Sequence, residues 1–388
     1  MRILHYIQSV DFRNGGPPRA VVDQVATMRS RGHDSGLATT VVRDVPAEWM
    51  ERAEDGLPEV VRLGPVRGPL SRLDGGSVST IREAVRRYDI VHLHGVWEPA
   101  NLQVAAACRD AGTPYVISLR GMLDDWSMDQ SGLRKRLYLF LGGRSMLERA
   151  AAVHCTADAE LAQSRKWFPK GRGAVVPNLM DMAPYAEVPD PAEARSRWPE
   201  LASGDFSVLF LSRVQHKKGL EHLIDALAIL AKGSESPRLM IAGTGDDEYE
   251  ARMRSRVTER GLEHRVSWLG HVGGDLKNSL FAACDVFALP TSQENFGFVF
   301  FESLACGTPV ITTDLVDTRD EIERSGGGII IPQDAAAFAE AVASIRDGSR
   351  DPLAMGTSGR EWTLKNLSTA EVSSRFEKLY ESCISDSR

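Results

Sequence analysis

Cysteine is sparse in this chain and shows no pairing. The five residues, Cys108, Cys155, Cys284, Cys306 and Cys383, are odd in number, far apart and without a CxxC pair. Such spacing suggests neither a disulfide framework nor a zinc site, and the thiols read as small buried hydrophobes in a reducing compartment. No run approaches the roughly 18 apolar residues that a membrane-spanning helix needs. The opening MRILHYIQSV has strand character and no signal-peptide pattern, so the expected location is the cytoplasm. An excess of positive charge is also lacking. A net charge of −7 argues against a protein that coats nucleic acid, since that affinity comes from clustered Lys and Arg neutralising phosphates. Low-complexity tracts and fixed-period repeats are missing too, which sets aside disordered and solenoid classes.

What is present is an ordinary globular composition, 43% hydrophobic and 26% charged, spread over 388 residues. That length predicts about two domains, each able to bury a full core. Short apolar runs at 2–9, 37–42, 90–94, 115–119, 152–156 and 174–177 read as strands, with helices such as 19–31 and 98–111 between them. The alternation restarts with strands at 207–211, 238–242, 266–269, 286–290, 309–313 and 328–331, and helices at 219–231, 249–260, 275–283, 299–306 and 335–346. Runs of this kind signal parallel sheets with helices on both faces. The expected division is a first domain over 1–183, a proline-rich crossing over 184–205, a second domain over 206–358, and a helical segment at 359–388 that packs back across the domains. Two doubly wound domains joined this way place their chemistry in a cleft at the carboxyl ends of the strands.

The strand at 207–211 runs into RVQHKKGLEHL, which sets Arg213, Lys217 and Lys218 just before a helix. Cations at a helix N-terminus oppose its dipole, so together they point to a bound anion. IAGTGDDEYE repeats the strand, glycine and helix order with Gly243 and Gly245, although Glu248 stands where a GxGxxG fingerprint needs glycine. SQENFGFVFFESLACGTPVI then places Glu294 in a loop and Glu302 a little over one turn inside the next helix. The amides of Phe296, Gly297 and Phe298 precede or open that helix and suit an anion. A carboxylate accepts two hydrogen bonds at once, which fits vicinal hydroxyls. Each acid taken alone is equally well read as an ordinary acid near a helix N-terminus.

Taken together, ENFGFVFFESLACGTPVI, FLSRVQHKKGLEHLIDAL, LMIAGTGD, SWLGHV and GGPPRAVVDQVATMRSRGHD resemble retaining glycosyltransferases of family four (glycosyl transferases group 1), in order and spacing, over nearly the whole chain. The resemblance implies the GT-B fold, an α/β architecture of two Rossmann-like doubly wound domains facing an interdomain cleft. It implies that Glu302 holds the nucleotide ribose, that Glu294 contacts donor-sugar hydroxyls, and that Arg213 and Lys218 neutralise the donor diphosphate with the Phe296, Gly297 and Phe298 amides. Gly15 and Gly16 then lie against the donor phosphate and the acceptor, and Gly243 belongs to the donor site. His94 is placed near the reacting carbon, while His92, two residues before it on the same strand face, reads as a core histidine.

Arg120 stands where many relatives have histidine, and with Asp124 and Trp126 it is a candidate for shaping the acceptor site. Arg19 has two open readings, contact with an anionic acceptor and a solvent-facing side chain. LRKRLYLFLGG mixes cations with apolar residues, which suits both an anionic membrane surface and a helix with one buried face. The expectation is transfer of a sugar from a nucleotide diphosphate sugar to a saccharide or lipid-linked acceptor, in cell-surface polysaccharide or glycolipid biosynthesis. No cofactor or metal is expected, since cations answer the diphosphate charge, and no nucleic acid partner. A GT-B-like nucleotide-sugar epimerase and a non-catalytic sugar-nucleotide binding protein are the rival readings.

Overall fold

The computed structural model describes residues 1–51, 56–68, 71–231 and 236–387. The chain divides into two compact units, Met1–Asp181 with Thr369–Arg388, and Met182–Ser368. Arg388, the end of the last expected segment, lies outside the described residues.

The first unit holds β1 (Arg2–Tyr6), β2 (Asp34–Thr39), β3 (Val60–Arg62), β4 (Ile90–His94), β5 (Tyr115–Ser118), β6 (Ala152–Cys155) and β7 (Gly173–Val175). Every pairing is parallel, in the order β3-β2-β1-β4-β5-β6-β7. All residues of β4, β5 and β6 are buried, which is why these strands are nearly unbroken apolar runs in the sequence. β3 is absent from the strands the sequence predicts. Its three residues are too few to show a period of two.

The Gly16–Ser30 helix opens three residues before the expected 19, because Pro17 and Pro18 sit in its first turn, where a missing N–H costs nothing. The Pro99–Ala111 helix stops at Gly112, whose φ of 71° is the left-handed cap expected there. The Thr369–Ser385 helix also belongs to the first unit. It buries Val372, Phe376 and Tyr380 almost completely, each side chain of that kind contributing about 1.5–3 kcal/mol. Arg31 and His33 both bond Glu377 of this helix, and Arg31 above all holds its carboxyl down to about 2.

The second unit holds β8 (Ser207–Leu211), β9 (Arg238–Ala242), β10 (Val266–Gly270), β11 (Val286–Leu289), β12 (Val310–Thr313) and β13 (Gly328–Ile331). These are again all parallel, in the order β10-β9-β8-β11-β12-β13. Both sheets are doubly wound, and each reverses strand order beside its first strand, between β1 and β4 and between β8 and β11. Ligands in open α/β sheets bind outside the carboxyl ends at such a switch point.

Two expected boundaries move. Residues 184–205 are not a bare crossing, since the Ala192–Arg197 helix packs on the Gly274–Ala283 helix and the Ala194 N–H donates to Ser279 Oγ at 3.0 Å. Proline and small residues there mark short turns within the unit. The segment from 359 is not one helix either. The Pro352–Asn366 helix, capped by Asp351, stays in the second unit, and the next begins at Thr369. Ser368 and Glu371 stand at capping-box spacing, which marks the new start.

Candidate functional site

At the switch point of the second unit, the β8 and β11 loops are bound to each other before any ligand is considered. The Lys217 carbonyl accepts from the Ser292 N–H at 2.8 Å and from the Thr291 hydroxyl at 3.2 Å. Gly219 follows at φ 66°, and a Cβ there would lie 2.1 Å from the Pro290 carbonyl oxygen. Only glycine permits this approach. It carries the chain straight into the Leu220–Leu230 helix with Lys218 turned inward.

Lys218 forms an ion pair with Glu294, their side chains 9% and 22% exposed. The anion that the cation-rich turn calls for is therefore supplied within the chain by Glu294 itself. Glu302, in the Phe298–Ala305 helix, bonds Lys277 through Oε1 at 2.7 Å. Lys277 is a functional candidate that the sequence reading missed. It lies on the Gly274–Ala283 helix, 25 residues from Glu302, and nothing local distinguishes it from any other lysine on a polar helix face. Arg213, at the end of β8, is exposed and has no acid partner among the described residues.

The Phe298–Ala305 helix has Gly297 at its N-cap, with φ 65° and no side-chain cap. The Phe300 N–H turns back to the Gly297 carbonyl at 3.0 Å, which leaves the Phe298 and Val299 amides for another acceptor. Phe296 and Phe298 sit edge to face at 5.0 Å around that turn. Gly243 is explained differently from the donor role the resemblance gives it. A Cβ there would come within 1.9 Å of the Ser212 carbonyl oxygen, so its absence lets the β9 turn lie against the β8 loop.

The first unit's switch point is built on another principle. Register puts His5 beside His92 across β1 and β4, His94 beside Ser118 across β4 and β5, and Ser118 beside His154 across β5 and β6. All are buried, and their hydrogen bonds fix each tautomer. The Val176 carbonyl can only accept, so His154 Nε2 donates to it at 2.8 Å. His154 Nδ1 then accepts from Ser118 Oγ at 2.6 Å, Ser118 accepts from His92 Nε2 at 2.7 Å, and His92 Nδ1 accepts from the Tyr380 hydroxyl at 2.7 Å. Tyr380 in turn accepts from the Gln24 amide at 3.0 Å. His92 is a fully satisfied core histidine.

Arg120 can only donate, so its NH2 group at 3.0 Å makes His94 Nδ1 an acceptor and leaves the proton on Nε2, which donates to His5 Nδ1 at 3.1 Å. Burial first, and then the neighbouring His92 and Arg120, hold His94 well below its usual value. Burial likewise pushes His5 to about 3, His154 to about 4, and Arg120 down to about 10. His94 is therefore neutral with both nitrogens occupied, which does not suit a general base.

His94, Arg120, Gly95, Glu98, Ser9 and Asn14 line a pocket of about 240 Å³ at the carboxyl ends of β1 and β4. Gly15, at φ 99°, and Gly16 form the turn from Asn14 into the Gly16–Ser30 helix. Arg19 lies outside the residues lining the pocket, its charge met by Asp23 at 3.5 Å and its guanidinium over the Phe12 ring at 5.2 Å. Asp124 caps the Asp125–Asp129 helix through the Ser127 N–H at 2.5 Å, and Trp126 is 41% exposed on that helix. Neither lines the pocket, because capping turns the Asp124 carboxylate toward its own helix. His5, His154, Ser118, Gln24 and Tyr380 carry no sequence signal of their own. Only register and the returning C-terminal helix assemble them.

Residues 193–362 match the family described as glycosyl transferases group 1, and residues 15–179 match the glycosyl transferase 4-like domain. A D-inositol 3-phosphate glycosyltransferase of Jonesia denitrificans is 25% identical over 82% of this chain and 79% of its own length. A phosphatidyl-myo-inositol mannosyltransferase of Mycobacterium leprae is 27% identical, covering 85% and 83%. Among solved structures, Anabaena HepE in complex with UDP superposes with a TM-score of 0.76 at 22% identity, covering 98% of this chain and all of that one.

Proposed function

The chain belongs to the glycosyl transferases of group 1, with the two-domain GT-B fold, and from that premise we propose that it is a retaining transferase. In this reading it moves a hexosyl group from a nucleotide diphosphate sugar to a saccharide or lipid-linked acceptor in cell-surface polysaccharide or glycolipid synthesis. The observation that carries the reading is the double ion pair at the second unit's switch point, Lys218 with Glu294 and Lys277 with Glu302. Each pair joins a group suited to phosphate or charge compensation with one suited to hydroxyls. The named activities of the two relatives, on an inositol phosphate and a phosphatidylinositol, support an acceptor of the polyol class. The UDP in the structural neighbour supports a nucleoside diphosphate donor.

On donor binding, Lys218 exchanges the Glu294 carboxylate for a diphosphate oxygen. Glu294 is thereby released to accept from donor-sugar hydroxyls, and Glu302 accepts from the ribose. As the bond from the anomeric carbon to the diphosphate breaks, negative charge grows on the leaving oxygens. Arg213, Lys218 and the Phe298 and Val299 amides stabilise it in this reading, which is where electrostatic catalysis is strongest. The acceptor proton passes to the leaving phosphate on the same face, so no protein base is required, in keeping with a neutral His94. These cations do the charge compensation, and we propose that the reaction needs no metal.

The test is a thermal-shift series with UDP, GDP and ADP and their sugar conjugates, with and without EDTA, followed by product analysis. A ligand specific for the folded state raises the midpoint with dose. The expected result is a shift with one base, insensitive to EDTA, and a product with the donor's anomeric configuration. A released, isomerised sugar nucleotide without acceptor would instead establish epimerisation, and binding without turnover a carrier.

A further inference from the structure

One stretch of the first unit presents two apolar faces where a globular protein needs one. Gly132–Tyr138 forms an α-helix, Leu139–Gly143 a π-helical turn, and Arg144–Glu148 a further helical turn. Its inner side is fully committed. Tyr138 meets Trp97 edge to face at 5.6 Å and donates to the Glu98 carbonyl at 3.3 Å, while Leu139, Met146 and Leu147 are buried. Lys135 also turns inward, over the Trp97 ring at 5.2 Å and onto the Ser127 carbonyl at 2.5 Å.

The outer side carries Leu133, Leu137, Phe140 and Leu141, which are 84%, 55%, 85% and 70% exposed. They stand at i, i+4, i+7 and i+8, the spacing of a single helical stripe. The other large hydrophobics exposed among the described residues are scattered along the chain. Arg134 and Arg136 flank this stripe, exposed and with no acid partner among the described residues, and Arg144 follows it, paired to Glu148 at 3.2 Å. No acid occurs between Asp129 and Glu148, in a chain whose net charge is −7.

We propose that this stretch is a docking face for an anionic lipid bilayer. Leu133, Leu137, Phe140 and Leu141 enter the acyl boundary while Arg134 and Arg136 remain at the headgroup phosphates. An exposed apolar stripe rimmed by cations is the form of an interfacial helix. A second copy of the chain fits the same face poorly, since a two-fold contact would set arginine rims against each other with no acid in the stretch to answer them. The face lies beside the switch-point pocket, because Tyr138 holds the backbone of Glu98, a pocket-lining residue. The inference does not depend on the transfer reaction and stands or falls separately from it.

Sedimentation of the full chain with phosphatidylcholine vesicles, with and without phosphatidylglycerol, tests it. The expected result is partition to the phosphatidylglycerol vesicles that falls with salt, and about a tenfold or greater loss in F140S/L141S and in R134E/R136E. Circular dichroism melting controls for folding. Because the five native cysteines are buried, a Phe140→Cys variant labelled with an environment-sensitive dye gives a second reading, a blue shift on vesicle addition. Absence of partition and of the blue shift overturns the proposal. So does partition that R134E/R136E leaves unchanged, or a concentration-dependent dimer that F140S/L141S abolishes.

Discussion

The two switch points occupy equivalent places in two sheets of the same winding, yet their electrostatics are opposed. In the second unit the turn after β8 and the helix after β11 carry full charges in pairs that remain partly open to solvent, so a ligand can displace one partner. In the first unit β1, β4 and β6 carry buried neutral imidazoles, and the hydrogen-bonded chain from Gln24 through His92 and His154 to the Val176 carbonyl has its direction fixed at both ends. A shared topology places a crevice, and the side chains at the strand ends decide whether that crevice exchanges charge or holds shape. One cluster holds exchangeable ion pairs, the other a buried chain of hydrogen bonds that resists rearrangement.

The largest effect that separates them is acid sensitivity. His5, His92, His94 and His154 all sit below their ordinary value because they are buried, so the unfolded chain binds more protons than the folded one as pH falls below about 6.5. Stability from these groups is fully present above that pH and is lost progressively down to the folded values of about 3 for His5 and about 4 for His154. His5 and His154 each cost about 2 kcal/mol at pH 5, so unfolding free energies from denaturant titrations at pH 7.5 and pH 5 are expected to differ by several kcal/mol, with the lower midpoint at pH 5. Equal midpoints would show that the cluster is hydrated or already charged, and the contrast between the units would fail.

Next in size is Lys218→Ala, which under the proposed mechanism removes one stabiliser of the leaving group. Turnover is expected to fall about 100-fold or more, as for loss of a preorganised donor, with a smaller change in donor affinity. An unchanged kcat would detach Lys218 from the chemistry. Glu302→Ala sharpens the division of labour, with an expected weakening of nucleotide binding by about tenfold in a titration and little change in kcat, consistent with a lost charge-assisted hydrogen bond. A fall in kcat alone would assign Glu302 to the reacting end instead.

An effect of similar size, confined to stability, is expected of Tyr380→Phe, which deprives His92 Nδ1 of its donor and leaves a buried acceptor unsatisfied. Equilibrium unfolding should show a loss of about 1–3 kcal/mol with transfer kinetics nearly unchanged. A drop in turnover without a loss of stability would mean that the first unit's network acts on the reaction.

The amino-acid sequence by itself determined the alternation of apolar strands and amphipathic helices, the glycine stops, and the charged turns at 213–218 and 294–302. These are local signals, set by periodicity, capping and dipole chemistry over a few residues. It did not determine that Glu294 answers Lys218 or that Lys277 answers Glu302, because those pairs span 76 and 25 residues and form only when loops and helices meet. Nor did it show that Asp124 is a helix cap or that Arg19 is met by Asp23, since a polar residue near a helix start reads alike in either role. The histidine network is the clearest case of what tertiary structure alone decided. His5, His92, Ser118 and His154 lie on four strands and Tyr380 on the last helix. Parallel register sets the first four in adjacent rows, where His92, Ser118 and His154 satisfy one another while His5 Nε2 finds no partner among the described residues.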